Sequence, residues 1–233
     1  MKERIRERLF ELLETDRWVE GAFPAVDPVN ADEVCRLLKK FPGSILVVGS
    51  GSSFDATFNP GPETLILLTR KLTGLFALSP SDQVLEVSAG CSVESVNQKL
   101  SDAGYFIPAL RRFRMGTVGG RLAGVSCRPL PNRGDGWIQS LLGLEVALPS
   151  GQIISVGSRC IKDVAGYDLR HVFIGSRGSA GVILNAVFRC RPLSEIKHFA
   201  PVEDLSAAVA PAGRIDPKWK RLFDPLGRMY PGS

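Results

Sequence analysis

The sequence predicts an α+β fold, because apolar residues recur at helix spacing in some segments and at strand spacing in others, in mixed order and without an internal repeat. Its 233 residues suffice for one large domain, or for two subdomains that share a core. Hydrophobic residues make up 44% and charged residues 23% of the chain. This globular balance excludes wholesale disorder, collagen-like repeats and a coiled coil.

Charge and targeting signals narrow the class of protein. The net charge of +5 is too small and too dispersed to indicate nucleic-acid binding, although basic residues cluster at 111–114. No apolar run approaches the roughly 18 residues of a membrane helix. The charged residues 1–8 lead into no signal-peptide core. We therefore expect a cytoplasmic protein that does not insert directly into a membrane.

Cysteine and histidine usage argues against a metal centre. The cysteines are scattered without a C-x-x-C pair, and the two histidines are His171 and His198. An odd cysteine count at wide spacing favours neither a disulfide framework nor a zinc or iron–sulfur site. We expect the thiols to be small buried apolar groups. The cysteines are Cys35, Cys91, Cys127, Cys160 and Cys190.

Periodicity and capping residues place the main elements. Residues 5–13 carry apolar side chains at helical spacing. Asn30 and Glu33 form a candidate capping box for a helix that Pro42 stops. Ser92 is the candidate cap of another helix, which ends at Gly104. Strands are predicted at 45–48, 65–68, 84–89, 144–148, 153–156 and 182–190, with a hairpin turn at 149–151 and a wet face on the last strand.

Three glycine-rich segments carry the first chemical signal. The first follows a predicted strand and consists of Gly49, Ser50, Gly51, Ser52 and Ser53. Backbone N–H groups and hydroxyls in such a loop suit a phosphate or diphosphate, although a plain tight turn has the same sequence pattern. No Lys follows as in a P-loop, and Phe54 replaces the last glycine of a Rossmann fingerprint. The other two segments, 116–120 and 175–181, favour a long ligand between two subdomains.

These motifs resemble a known family. The segments VVGSGSSFD, GTVGGRLAG and KDVAGYDLRHVFIGSRGSAGVIL resemble the FAD-binding domain of the vanillyl-alcohol-oxidase and p-cresol-methylhydroxylase type. Within that superfamily they are most similar to the FAD-binding subunit of glycolate oxidase. The resemblance covers residues 22–192, and residues 222–231 are similar to the C-terminal end of that family.

The resemblance implies an FAD-binding domain at 1–192, made of two α+β subdomains that divide near 75–80 and hold FAD between them. The first glycine loop, from Gly49 to Ser53, would hold the pyrophosphate. The segment with Thr117, Gly119 and Gly120 would lie along the pyrophosphate, the ribityl chain and the flavin edge. Gly181, Val182 and Ile183 would approach the adenine side.

The chain also departs from the family pattern. No histidine lies in its first 170 residues, so the covalent attachment of flavin through His seen in many relatives is not expected; a thioether to Cys127 stays open. Ser50 stands where Gly is usual, and Gln139 where the glycolate oxidase subunit has Asp. Relatives carry a substrate-covering cap domain, of which residues 193–233 would be a remnant.

Other side chains have two interpretations each. Lys162, Tyr167 and Asp168 are candidates for the flavin surroundings, or a surface Lys, a structural Tyr and a helix cap. His171 is a candidate base, or a structural histidine. Two larger groups follow: a basic cluster that is a candidate anion site or a solvated face, and tail residues that are expected packing anchors. These groups are Arg111, Arg112 and Arg114, and Trp219, Leu222 and Phe223.

The function that the resemblance implies is that of a non-covalent FAD-binding subunit of a multi-subunit oxidoreductase acting on a small 2-hydroxy acid. Its expected partners are a catalytic flavoprotein subunit and an iron–sulfur subunit, between which electrons are relayed. Two alternatives stay open. One is a scaffold subunit that has lost flavin, and the other is a stand-alone FAD-dependent reductase.

Overall fold

A computed structural model describes residues 2–13, 16–21, 23–52, 64–124, 137–158, 168–199 and 222–229. It confirms the predicted α+β class, with helices and strands in mixed order. The helices are α1 (Lys2–Leu13), α2 (Ala31–Lys40), α3 (Val93–Asp102), α4 (Val118–Gly124), α5 (Trp137–Ser140), α6 (Arg170–Phe173) and a 3-10 helix (Leu193–His198). The strands are β1 (Trp18–Val19), β2 (Ala25–Val26), β3 (Ile45–Val48), β4 (Leu65–Leu68), β5 (Phe76–Ser79), β6 (Val84–Ser88), β7 (Tyr105–Phe106), β8 (Leu141–Ala147), β9 (Ile153–Gly157), β10 (Val182–Arg189) and β11 (Arg191–Pro192).

The first sheet has the strand order β1-β2-β4-β3. Strands β2, β4 and β3 are parallel, and β3 pairs with β4 from Ile45 opposite Leu65 to Val48 opposite Leu68. Helices α1 and α2 contribute Leu9 and Leu37 to its buried core. Burial of this apolar face stabilises the sheet by about 25 cal/mol per Å².

Helix α2 begins where the capping residues predict. The Asn30 side chain accepts a hydrogen bond from the amide of Glu33 at 2.9 Å. In a capping box the Glu33 carboxylate accepts from the amide of the N-cap residue, Asn30. Here it accepts instead from the amide of Val29, one residue earlier, at 3.0 Å. It also pairs with Arg17, so that it ties the N-terminal segment to the start of α2.

The second sheet has the order β5-β6-β10-β8-β9, with every neighbouring pair antiparallel. Helix α3 packs on one face through residues such as Val96 and Leu100, which share a core with Phe188. Its predicted cap is present, since Ser92 Oγ accepts from the amide of Ser95 at 3.1 Å. The chain passes from the first sheet to the second between Leu68 and Phe76, just before the split predicted near 75–80.

Strand β10 lies in both cores at its start. Val182 packs with the first core, whereas Ile183 packs with the second. The wet face predicted for this strand therefore begins only at Asn185, where every second side chain becomes half-buried. The residues before Asn185 have protein on both sides, which a sequence pattern of plain alternation does not reveal.

The described part of the tail folds back onto the first sheet. Asp224 is buried and accepts hydrogen bonds from the amides of Arg228, at 2.8 Å, and Met229, at 3.0 Å. Met229 lies beside Ile45 as an isolated parallel bridge, so the tail extends the sheet next to β3. Of the expected anchors, Phe223 contacts Phe173, with ring centroids 5.5 Å apart, but Leu222 is exposed. None of the helices in the described part combines the length and apolarity needed to cross a membrane.

Replacing Asp224 by Ala should lower the free energy of unfolding by about 1–3 kcal/mol, because two backbone amides in a buried turn lose their acceptor. Denaturant unfolding followed by circular dichroism measures the change. Asp102→Ala, at an exposed carboxylate that accepts from Gln98, is the matched control and should change stability far less. Equal effects of the two substitutions would contradict the role given to the tail.

Candidate functional site

The first glycine loop leaves β3 at the junction between the two sheets. Gly49 contacts the segment at the start of α4 so closely that a Cβ at this position would overlap Thr117 Oγ1. The same Cβ would lie 3.3 Å from the Cα of Gly120. The two backbones can approach each other to this distance only because both residues are glycine. This contact joins two of the three glycine-rich segments.

The second glycine-rich segment is a turn followed by a helix rather than an open loop. Thr117 Oγ1 accepts from the amide of Gly120 at 3.1 Å, as an N-cap side chain does. The amide of Val118 donates to the carbonyl of Cys91 at 2.9 Å, and that of Gly119 donates to the carbonyl of Ala89 at 2.8 Å. The first-turn amides of α4 are therefore used within the protein. The contribution of this segment is close packing.

The donors of the first loop are disposed differently. Ser50, Gly51 and Ser52 are all exposed. In the described segments, no backbone hydrogen bond is donated by their three amides. Amides and hydroxyls in successive residues are the groups that bind phosphate oxygens in glycine-rich loops. Ser53, which the prediction also includes, lies outside the described residues.

Arg121 is a residue near this loop that the sequence patterns did not single out. It directly follows Gly120 on α4 and is only 5% exposed. Its Nε donates to the carbonyl of Met115 at 2.8 Å, and its Cζ lies 5.0 Å from the ring centroid of Phe113. An arginine beside a predicted anion loop is a usable signal. In sequence, however, it could not be separated from the neighbouring basic residues.

The third glycine-rich segment reaches the same junction. The amide of Gly175 donates to the carbonyl of Leu122 at the end of α4, at 2.9 Å. The amide of Arg177 likewise donates to the carbonyl of Ala123, at 2.8 Å. The backbone of Gly178 packs directly on Val47 of β3. The structure thus brings all three segments together around the end of β3.

The residues predicted for the adenine side lie at the start of β10. Gly181 packs against the carbonyl of Ala147, and the side chains of Val182 and Ile183 are buried in the two cores. A base could meet only their backbone. Pairing of β10 with β6 starts at Asn185, preceded by one bond from the Ala89 amide to the Leu184 carbonyl. Among the described residues, Val182 precedes the part of β10 that pairs with β6. Its backbone on that side is therefore placed for the edge-to-edge hydrogen bond that a base would need.

Asp168 and His171 form a surface group with Arg170. Both Asp168 oxygens accept from Arg170, at 2.7 and 2.8 Å, and this hydrogen bonding holds the pKa of the carboxyl below its ordinary value. Arg170 also donates to the carbonyl of Leu141 at the start of β8. His171 is exposed, with Nε2 at 3.3 Å from Asp168. This geometry fits a structural clamp better than a base at the glycine loops.

Most of the other candidate residues make local contacts or lie outside the residues that the structure describes. Arg111 stacks on Phe106 at 5.4 Å, whereas Arg114 and Gln139 are exposed. Cys190 is buried, which raises its pKa to about 12 and leaves the thiol unreactive. Candidates outside the described residues are Lys162, Tyr167, Cys127, Cys160 and Trp219.

One described cavity lies elsewhere, on the open face of the second sheet. It has a volume of about 290 Å³ and is lined by polar residues that include Glu86, Glu145 and Asn185. No residue of the three glycine segments lines it. We therefore place the candidate site by the convergence of those segments, because a nucleotide diphosphate is bound by backbone donors on the rim of a groove.

Comparison with known proteins places this chain in a family. The model of the FAD-binding domain family matches residues 25–157, which is more than half of the chain. The chain belongs to this family. The predicted resemblance is confirmed, and FAD is the cofactor that the family binds.

Curated relatives are similar to this chain over part of their length. The glycolate oxidase subunit GlcD of Bacillus subtilis is 28% identical over 198 residues, which are 78% of this chain and 40% of that protein. The D-lactate dehydrogenase of Archaeoglobus fulgidus is 30% identical over 73% of this chain and 39% of its own. The mitochondrial D-2-hydroxyglutarate dehydrogenase of Bos taurus is 29% identical over 71% of this chain and 31% of its own. The chain thus spans well under half the length of these relatives.

A solved structure of alkyldihydroxyacetonephosphate synthase superposes with a TM-score of 0.58 and 20% identity. The match covers 75% of this chain and 32% of the synthase chain. Together with the match to the FAD-binding domain family, this superposition confirms the predicted fold of the p-cresol-methylhydroxylase type.

The described residues fit FAD at its diphosphate end. The exposed amides and hydroxyls of the Ser50–Ser52 loop suit phosphate oxygens, and the close Gly49–Gly120 contact leaves no Cβ between the two segments. The diphosphate role of these loop residues, the ribityl-side role of Thr117 and Gly119 and the adenine-side role of Val182 remain predictions.

Replacing Gly49 by Ala should weaken both the fold and FAD binding, because the new methyl group overlaps Thr117 Oγ1 and separates β3 from α4. Overpacking of this kind costs about 1–3 kcal/mol. Thermal unfolding and flavin titration measure the two effects. Gly74→Ala is the matched control, since its Cβ would point into open space. A Gly49→Ala protein indistinguishable from this control would contradict the close contact.

The Asp168 clamp should make stability depend on pH in acid. Because the folded-state pKa of Asp168 is lowered below its unfolded value of about 3.9, the carboxylate stabilises the fold above that pH. This contribution is lost as the pH falls through the folded-state pKa. Asp168→Asn should therefore be less stable than wild type at neutral pH, and the gap should close in strong acid. Denaturant unfolding at a series of pH values tests this, and a gap that is constant with pH would refute it.

Proposed function

We propose that this chain is the non-covalent FAD-binding subunit of a multi-subunit oxidoreductase that acts on a small 2-hydroxy acid of the glycolate or lactate type. The observation that carries the proposal is the convergence of three glycine-rich segments at the end of β3, in a member of the FAD-binding domain family. The names of three relatives supply the substrate class, since glycolate, D-lactate and D-2-hydroxyglutarate are all 2-hydroxy acids.

Bound FAD would supply the electron-transfer chemistry, which belongs to the flavin itself. The residues of this chain bind and orient it. Ser50, Gly51 and Ser52 offer donors to the diphosphate, and the Gly49–Thr117 contact fixes the first loop against α4. Because β10 belongs to both cores, the two sheets that would enclose the cofactor are held in one arrangement.

A partner would supply the group that accepts the proton of the substrate hydroxyl. No histidine or carboxylate occurs in the first glycine loop or in residues 116–121. The exposed His171 is engaged with Asp168. We propose a catalytic flavoprotein subunit and an iron–sulfur subunit as partners that receive or deliver electrons. The relative named as a glycolate oxidase subunit supports an assembly of this kind. A location in the cytoplasm stays a prediction.

The purified chain should be yellow and should release FAD on denaturation, because its attachment is non-covalent. Glycolate and D-lactate should fail to bleach the flavin of the isolated chain under anaerobic conditions. They should bleach it when the tagged chain is purified from its native cells together with its partners. Absorbance spectroscopy and chromatography of the released flavin measure both results.

Each other outcome identifies a different function. Full bleaching of the isolated chain by a hydroxy acid would overturn the subunit role and favour a stand-alone oxidoreductase. A colourless protein that cannot be reconstituted with FAD would overturn the flavin role and favour a scaffold. The departure at Ser50 makes this second outcome a real alternative, because its Cβ restricts the backbone of the loop.

A further inference from the structure

Arg121 is a buried cation at the junction of the glycine segments. It is 5% exposed, although most arginines keep their guanidinium in water. Burying a charge costs several kcal/mol unless other interactions offset the loss of hydration. The place of Arg121 beside the first glycine loop puts this charge where the diphosphate of FAD is predicted to bind.

The side chain of Arg121 is held in one direction. Helical side chains point toward the N-terminus of their helix, so the guanidinium lies beside the turn that precedes α4. The Nε–Met115 hydrogen bond of 2.8 Å and the stacking on Phe113 at 5.0 Å fix it there. A preorganised guanidinium loses little side-chain entropy when it binds a ligand.

The guanidinium lies next to the first glycine loop. A Cβ on Gly116 would be 2.8 Å from Arg121 Nε and 3.1 Å from Ser52 Oγ. The two side chains therefore flank Gly116, whose φ of 93° is a conformation that favours glycine. Because Gly116 has no side chain, the guanidinium of Arg121 and the hydroxyl of Ser52 lie close to each other beside it.

Resting on the proposed function, we propose that Arg121 is a diphosphate-binding residue that makes this chain select a flavin dinucleotide over a flavin without phosphate. The first-turn amides of α4 are used within the protein. The guanidinium of Arg121 supplies a positive charge on this side of the loop. A guanidinium binds phosphate oxygens through charge-assisted hydrogen bonds. Because the cation is buried, salt screens it less than the exposed Arg114.

The test compares three ligands with the full-length chain freed of flavin: FAD, ADP and riboflavin. Arg121→Met should weaken FAD and ADP binding on the order of 10- to 100-fold, the equivalent of a hydrogen bond to a charged group. Riboflavin binding should stay at the wild-type value, because riboflavin has no phosphate. Arg121→Lys should recover part of the loss. Flavin fluorescence and calorimetry measure the affinities.

Two further variants keep the test decisive. Lys99→Met removes a cation stacked on Phe76 at 4.9 Å, and as the matched control it should leave all three affinities unchanged. Arg121→Gln is neutral but can still donate to the Met115 carbonyl, so it replaces Arg121→Met if that variant does not fold. An equal loss for FAD and riboflavin would show a purely structural role and overturn the inference.

The same titrations separate this inference from the proposed function. A wild-type chain that binds none of the three ligands would refute the proposed function, and the role of Arg121 would fall with it. The Arg121 inference alone would be refuted if the wild-type chain binds FAD and the neutral Arg121 variants bind FAD and ADP as tightly as wild type does.

Discussion

The approach of Gly49 to Thr117 and Gly120 is the contact on which the candidate site depends. It brings the end of a parallel strand in one sheet against the first turn of a helix that packs on the other sheet. Backbones can come this close only where no Cβ stands between them. The loop donors, the buried cation and the third glycine segment have their positions because this contact fixes β3 and α4 together.

Two other features stabilise the same junction between the sheets. Strand β10 contributes Val182 to the first core and Ile183 to the second, so neither sheet can shift without disturbing packed apolar side chains on both sides. The tail adds Met229 beside Ile45 at the start of β3, with Asp224 satisfying its turn. A cofactor site built on rigid elements keeps its geometry better than one built on loops alone.

The protein uses the donors of its first two glycine segments in opposite ways. In Thr117–Gly120 they are consumed by internal hydrogen bonds that make a helix start, and in Ser50–Ser52 they remain on the surface. Both stretches looked alike as glycine-rich loops, because composition does not say which carbonyl lies within reach of an amide. The proposed site therefore combines the backbone donors of the first loop with the charge of Arg121.

The sequence by itself determined the elements that local chemistry specifies. Asn30 and Ser92 cap their helices, the strand before Gly49 ends where predicted, and the family motifs identify an FAD-binding domain. Only the tertiary structure decided which groups meet. The burial of Val182, the exposure of Leu222 and the place of Arg121 beside Ser52 arise from contacts between residues far apart in the chain. Periodicity and capping act within a few residues, whereas burial and charge placement depend on how whole sheets pack.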